Sequence, residues 1–137
     1  MSAIGFSPAL RSARSQKIID LINAGVGPGT MAFYTTPQPA TGAAITTQTL
    51  LGTVTYSEPA GTVSNGVLTF ATIADDVSVD NDGIVAWTRS FDGDGNFVID
   101  MTATDNTGAG PVKMPSLQVY AGGILHPVSA SLTEGNS

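Results

Sequence analysis

Residues 84–104 read Ile84-Val85-Ala86-Trp87-Thr88-Arg89-Ser90-Phe91, then Asp92-Gly93-Asp94-Gly95-Asn96, then Phe97-Val98-Ile99-Asp100-Met101-Thr102-Ala103-Thr104. In the last run Phe97, Ile99, Met101 and Ala103 alternate with Val98, Asp100, Thr102 and Thr104. That is the period of a half-buried strand, whose successive side chains point to opposite faces. Asp-Gly between two such apolar runs is a strong hairpin signal. The stretch therefore predicts two antiparallel strands joined by a turn at 92–96. Trp87 falls in the first strand as core or interface filler, the alternative being a stacking platform for a ligand. Arg89 shares its face, placed to stack on that ring or to pair with Asp100 if the hairpin register permits.

The same period extends outward. Leu50, Val54 and Tyr56 alternate with Leu51, Thr53 and Thr55, and Val128, Ala130 and Leu132 with Ser129, Ser131 and Thr133. Further strand candidates run near 30–36, 66–73 and 116–121. Turn residues fill 37–42, 58–61, 80–83, 106–111 and Gly122-Gly123. Pro115 and Pro127 mark strand starts or sheet edges. One segment differs: Ser7-Pro8 suits a helix start and Asn23-Ala24-Gly25 a stop, which predicts a helix over 8–24. Leu10, Ala13, Ile18, Leu21 and Ile22 supply its apolar positions, and its C-terminal half is expected to pack. Roughly seven or eight short strands with frequent turns predict an all-β fold. The expected form is an antiparallel β-sandwich, of jelly-roll or immunoglobulin-like type, with one N-terminal α-helix. The expected organisation is a single domain, 1–137, with 1–27 as a basic arm and helix and 28–137 as the sandwich.

Composition narrows the function. Charged residues are 12% of the 137, against about 25% in ordinary domains, while 42% are hydrophobic. That balance excludes a disordered tail, and no apolar run approaches the ~18 residues of a membrane span. The absence of cysteine excludes a disulfide framework, zinc ribbons and thiol catalysis. The N-terminal residues carry no basic segment ahead of a long apolar stretch, so no secretory signal is expected. Charge is unevenly placed: Arg11, Arg14 and Lys17 give residues 1–17 a side-chain charge of +3, and residues 18–137 carry −9. The three cations read either as a solvated helix face or as an arm that meets an acidic neighbour. They are too few for nucleic-acid binding, and the acidic remainder repels phosphate.

Candidate chemistry is sparse. A calcium loop starting at Asp92 needs Gly sixth and Glu twelfth, where Phe97 and Ala103 stand, so the hairpin reading prevails over a cation site. Asp75, Asp76, Asp80 and Asp82 read as loop carboxylates, with metal binding the alternative. His126 is the sole histidine; a Ser–His–acid set would have to use it, yet no nucleophile-elbow pattern accompanies any serine. It reads as a structural or surface residue. Gly25 to Gly29 follow a helix rather than open one, the reverse of a phosphate cradle. No catalytic, cofactor or metal residue is expected, and the chain reads as non-enzymatic.

Several segments together resemble small structural proteins encoded in the head-gene region of tailed bacteriophages and prophages. They are Ile18-Ile19-Asp20-Leu21-Ile22-Asn23-Ala24-Gly25 with Gly27-Pro28-Gly29, Pro39-Ala40-Thr41-Gly42, and Leu50-Leu51-Gly52-Thr53-Val54-Thr55-Tyr56. Gly66-Val67-Leu68-Thr69-Phe70, Ala86-Trp87-Thr88-Arg89, Asp94-Gly95-Asn96 and Val98-Ile99-Asp100 complete the set. The resemblance spans about 18–133 and implies a virion protein of the head cement, or decoration, type. It implies the major capsid protein as partner, self-association as a homodimer or homotrimer, no cofactor, and a place on the capsid surface after assembly in the host cytoplasm. A tail, neck or head-surface module that binds a receptor or glycan is the alternative. Arg11, Arg14 and Lys17 are the expected partner-binding residues.

Overall fold

The computed structural model describes residues 5–76, 78–125, 127 and 129–133. Helix α1 (Pro8–Ile22) is followed by β1 (Thr30–Tyr34), β2 (Leu50–Thr55), β3 (Gly61–Ser64), β4 (Val67–Phe70) and β5 (Gly83–Ile84). Then come β6 (Trp87–Phe91), β7 (Phe97–Asp105), β8 (Val112–Met114), β9 (Gln118–Val119) and β10 (Ser129–Thr133). Eight strands form one sheet in the order β2-β1-β6-β7-β8-β10-β4-β3, and β5 and β9 form a separate ribbon. The protein is thus all-β and sandwich-like with one N-terminal helix.

The sheet curls over a shared core. Val54 from β2, Leu68 and Phe70 from β4, Met101 and Ala103 from β7 and Val112 from β8 belong to one buried cluster with Ile19 and Ile22 of α1. At the β2 end of the sheet, Thr55 bridges Ala74, four residues past β4, and the Tyr56 and Phe70 rings lie 5.2 Å apart.

The 84–104 stretch forms the expected hairpin. β6 pairs antiparallel with β7, placing Arg89 opposite Asp100 and Trp87 opposite Thr102. The Asp92 carboxylate closes the turn: its Oδ1 accepts from the Asp94 and Asn96 amides, both at 2.9 Å.

Two features depart from the expected pattern. The sheet is mixed, because β7 and β8 run parallel. Asp105 reverses the chain between them by accepting from the Thr107 and Gly108 amides. Gly108 and Gly110 then lie so close to Thr104 that a Cβ on either would sit within 2.8 Å of it. Glycine here permits a return tight enough for a parallel pairing, which ordinarily needs a dozen or more residues. The second departure is that β3 and β8 were not among the sequence-based strands, while 84–91 divides into β5 and β6.

Helix α1 starts as expected: Pro8 occupies the first turn and the Ser7 Oγ accepts from the Leu10 amide at 3.1 Å. It ends at Ile22, capped by Asn23, and packs on β3, β4 and β7 of its own chain.

Candidate functional site

The orientation of α1 decides which residues it offers. Ser15, Ile19 and Ile22 are buried. Two serines fasten the same side to the β3–β4 turn: the Gly66 amide donates to Ser12 Oγ at 2.9 Å, and Ser15 Oγ donates to the Gly66 carbonyl at 3.5 Å. At the C-terminal end, Asn23 Oδ1 accepts from the Ala60 amide at 3.1 Å.

The three expected partner-binding residues therefore separate. Arg11 is half-buried, and its Nε is buried without a hydrogen-bond partner among the described residues. Arg14 is exposed, with its guanidinium 4.6 Å over the Phe6 ring, and Lys17 is exposed. Leu10 and Leu21, expected to help form the apolar side, are instead 45% and 43% exposed. Leu10, Arg14, Lys17 and Leu21 follow at intervals of about one helical turn and so share one outward face, cationic in the middle and apolar at both ends. Helical phase contained that signal: at about 100° per residue, Leu10 and Leu21 fall on the Arg14 side, away from Ile19 and Ile22.

The far end of the molecule has the opposite character. α1 ends against the Thr30 end of β1, where Gly29 lies on Ile22 and on the Phe91 carbonyl. The β5–β9 ribbon covers the Tyr34 end, with Gly83 against Leu51 and Thr35. Ile84, Tyr120 and Ile124 are 58%, 65% and 66% exposed there. Val79 exchanges backbone hydrogen bonds with Gly122 and Gly123, which sets the exposed Asp80 beside the 120–123 turn. Asp82, also exposed, accepts from the Ala121 amide at 2.7 Å. Sequence reading found these acids but not the apolar side chains among them, which come from segments about 35 residues apart.

The Trp87 region is a second core. Trp87 stacks on Tyr34 with centroids 4.8 Å apart, and its Nε1 donates to the Thr35 carbonyl at 2.9 Å. Arg89 does both things its position allowed. Its Nε and Nη2 donate to Asp100 Oδ1 and Oδ2 at 2.8 and 3.1 Å, and its guanidinium lies 5.2 Å from the Trp87 ring and 5.3 Å from the Phe97 ring. The hydrogen bond to Asp100 holds the guanidinium pKa above its ordinary value, against the effect of burial. Burial raises the Tyr34 phenol, with Arg89 opposing. These groups satisfy one another under the 36–48 loop, whose Gly42 amide donates to Asp100 Oδ2 at 3.0 Å.

Among the loop carboxylates, Asp76 and Asp82 are committed to backbone amides. Asp76 accepts from the Thr53 and Ser78 amides. Among the described residues, no group of three or more His, Asp or Glu side chains is placed to hold a metal ion. His126 lies outside the described residues. A cavity of about 190 Å³ near the start of β10 is lined by uncharged residues, among them Phe70, Ile73 and Pro127. No helix among the described residues is long and apolar enough to cross a membrane.

Compared with known protein families, curated proteins and solved structures, the chain matches none.

Proposed function

We propose that this protein is a non-enzymatic virion structural protein of a tailed bacteriophage, a capsid cement protein that binds and stabilises the major capsid protein lattice. The observation that carries the reading is the outward face of α1. Two cations stand between two exposed leucines on a helix pinned to its own sandwich, above a body that is otherwise acidic. A fixed charged face of this kind sets orientation and register on a partner. Low overall charge leaves broad neutral surface for repeated contacts, whose modest affinities multiply through avidity on a lattice. The resemblance of the segments between 18 and 133 to phage head proteins supplies the identity of the lattice. The glycan-binding alternative is left with the exposed Phe97 and Tyr120, because Phe33, Tyr34, Tyr56, Phe70 and Trp87 are buried.

The test is titration of purified protein onto expanded capsids. Binding at a defined stoichiometry, with a raised capsid rupture temperature, is the expected result; scattered or absent binding overturns the reading. The informative variant is Arg14→Glu with Lys17→Glu. Arg11 is a poorer choice, since its half-buried position ties charge reversal there to the fold.

A further inference from the structure

The two charged faces are complementary to each other as well as to outside partners. One carries Arg14 and Lys17 between Leu10 and Leu21. The other carries Asp80 and Asp82 around Ile84, Tyr120 and Ile124. Strand alternation and the Ile84–Gln118 pairing set Asp82, Ile84 and Tyr120 on one side of the β5–β9 ribbon, while Val119 faces the core. The helix face spans about 16 Å from Leu10 to Leu21.

We propose that copies of this chain associate head to tail, with the outward face of α1 in one copy seated on the β5–β9 end of the next. The inference rests on the self-association that the resemblance to phage head proteins implies, not on capsid binding, and a neighbouring copy seated there would compete with a capsid for the same helix face. Charge decides the geometry. A two-fold contact through the helix would set cations against cations, and one through the ribbon would set acids against acids. Pairing the unlike ends neutralises both and buries apolar side chains from each, with Tyr120 of a residue type enriched among the dominant contacts of interfaces. The two faces sit at opposite ends of β1, so one molecule can use both at once. Such a heterologous contact closes into a ring or continues as a chain, according to the rotation per step.

The experiment is light scattering coupled to size exclusion on the purified full chain at about 100 μM, in low and high salt. The expected result is a mass several-fold above the 13.9 kDa monomer in low salt, falling as salt screens the contact. Arg14→Glu/Lys17→Glu and Asp80→Lys/Asp82→Lys should each run as monomers with native circular dichroism. An equimolar mixture of the two should regain the large mass, because each reversed face then meets its opposite. Since Asp82 also holds the Ala121 amide, Tyr120→Ser serves as a second variant and should likewise lose mass. A wild-type chain monomeric in low salt, or variants that stay associated, overturns the proposal. Monomers that still saturate capsids would overturn the head-to-tail contact and spare the cement reading; large assemblies that ignore capsids would do the reverse.

Discussion

Arg89 and Asp100 face each other across the β6–β7 hairpin as a two-point ion pair, and the same carboxylate holds the Gly42 amide of the loop above. Their side chains are 8% and 3% exposed, so neither charge has water to fall back on. The pair thus couples strand register to loop closure.

Removing one partner leaves the other charge buried. Asp100→Ala is expected to cost about 3 kcal/mol, the lower end for a broken buried pair, because one loop covers this site. Arg89→Met with Asp100→Leu should recover most of that loss, since apolar replacement of both members avoids the desolvation penalty. Urea unfolding midpoints at unchanged slope measure both. A cost below about 1 kcal/mol for Asp100→Ala would mean the pair behaves as a surface bridge.

This pair also marks how far sequence carries. The 84–104 alternation with Asp-Gly between its runs was enough to read the hairpin, but Arg89 meets Asp100 only through the register shift between Ser90 and Phe91, which the local period does not show. β3 escaped because Gly61-Thr62-Val63-Ser64 has one large apolar residue; the Asn65-Gly66 pair after it was the available hairpin signal. β8 escaped because it is three residues long between Pro111 and Pro115 and pairs in parallel. At the candidate surface, the cations of α1 were legible but their separation was not. Ser12 and Ser15 bonding to Gly66, a contact more than 50 residues distant, sets the helix rotation.

Tyr56 makes stability sensitive to alkali. Its hydroxyl lies 2.7 Å from Ser90 Oγ in the core, and burial pushes the phenol well above its ordinary value of 10.0, outweighing the Ser90 hydrogen bond that lowers it. In the unfolded chain the phenol ionises near 10, so this contribution is intact below that pH and is lost above it. Each further pH unit should cost about 1.4 kcal/mol from this group. Tyr56→Phe is expected to lose about 1 kcal/mol at neutral pH, through the orphaned Ser90 hydroxyl, and to flatten the alkaline slope. Urea midpoints at about pH 8 and about pH 11 test both effects. An unchanged alkaline slope in the variant would reject the assignment.

Gly66 tests the turn on which α1 is fastened. Asn65 has φ 52° and Gly66 φ 79°, the pair of left-handed residues that a two-residue hairpin turn requires. A side chain at Gly66 meets the left-handed penalty, so Gly66→Ala should destabilise by about 1–2 kcal/mol. Asn65→Gly should be nearly neutral, since that conformation costs glycine nothing sterically. Thermal unfolding compares the two; equal shifts would show that the strain lies elsewhere.

Asp92 predicts how the molecule responds to acid. The Asn96 amide, then the Asn96 side chain, hold its carboxyl below the ordinary carboxylate value. Oδ1 serves the Asp94 and Asn96 amides and Oδ2 the Asn96 side chain, so one group organises the whole turn. Because the folded value is depressed, the stabilisation is complete above the unfolded carboxyl pKa and disappears as pH falls through the folded one. The turn should therefore open in acid before the β6–β7 ladder does. Asp92→Ala should mimic that state at neutral pH, raising amide exchange at Asn96 and Asp94. Asp92→Asn should be milder, because its remaining oxygen still accepts from the backbone. Amide exchange measured by NMR separates these outcomes. If Asp92→Ala leaves Asn96 fully protected, the Arg89–Asp100 pairing holds the hairpin without help from its turn.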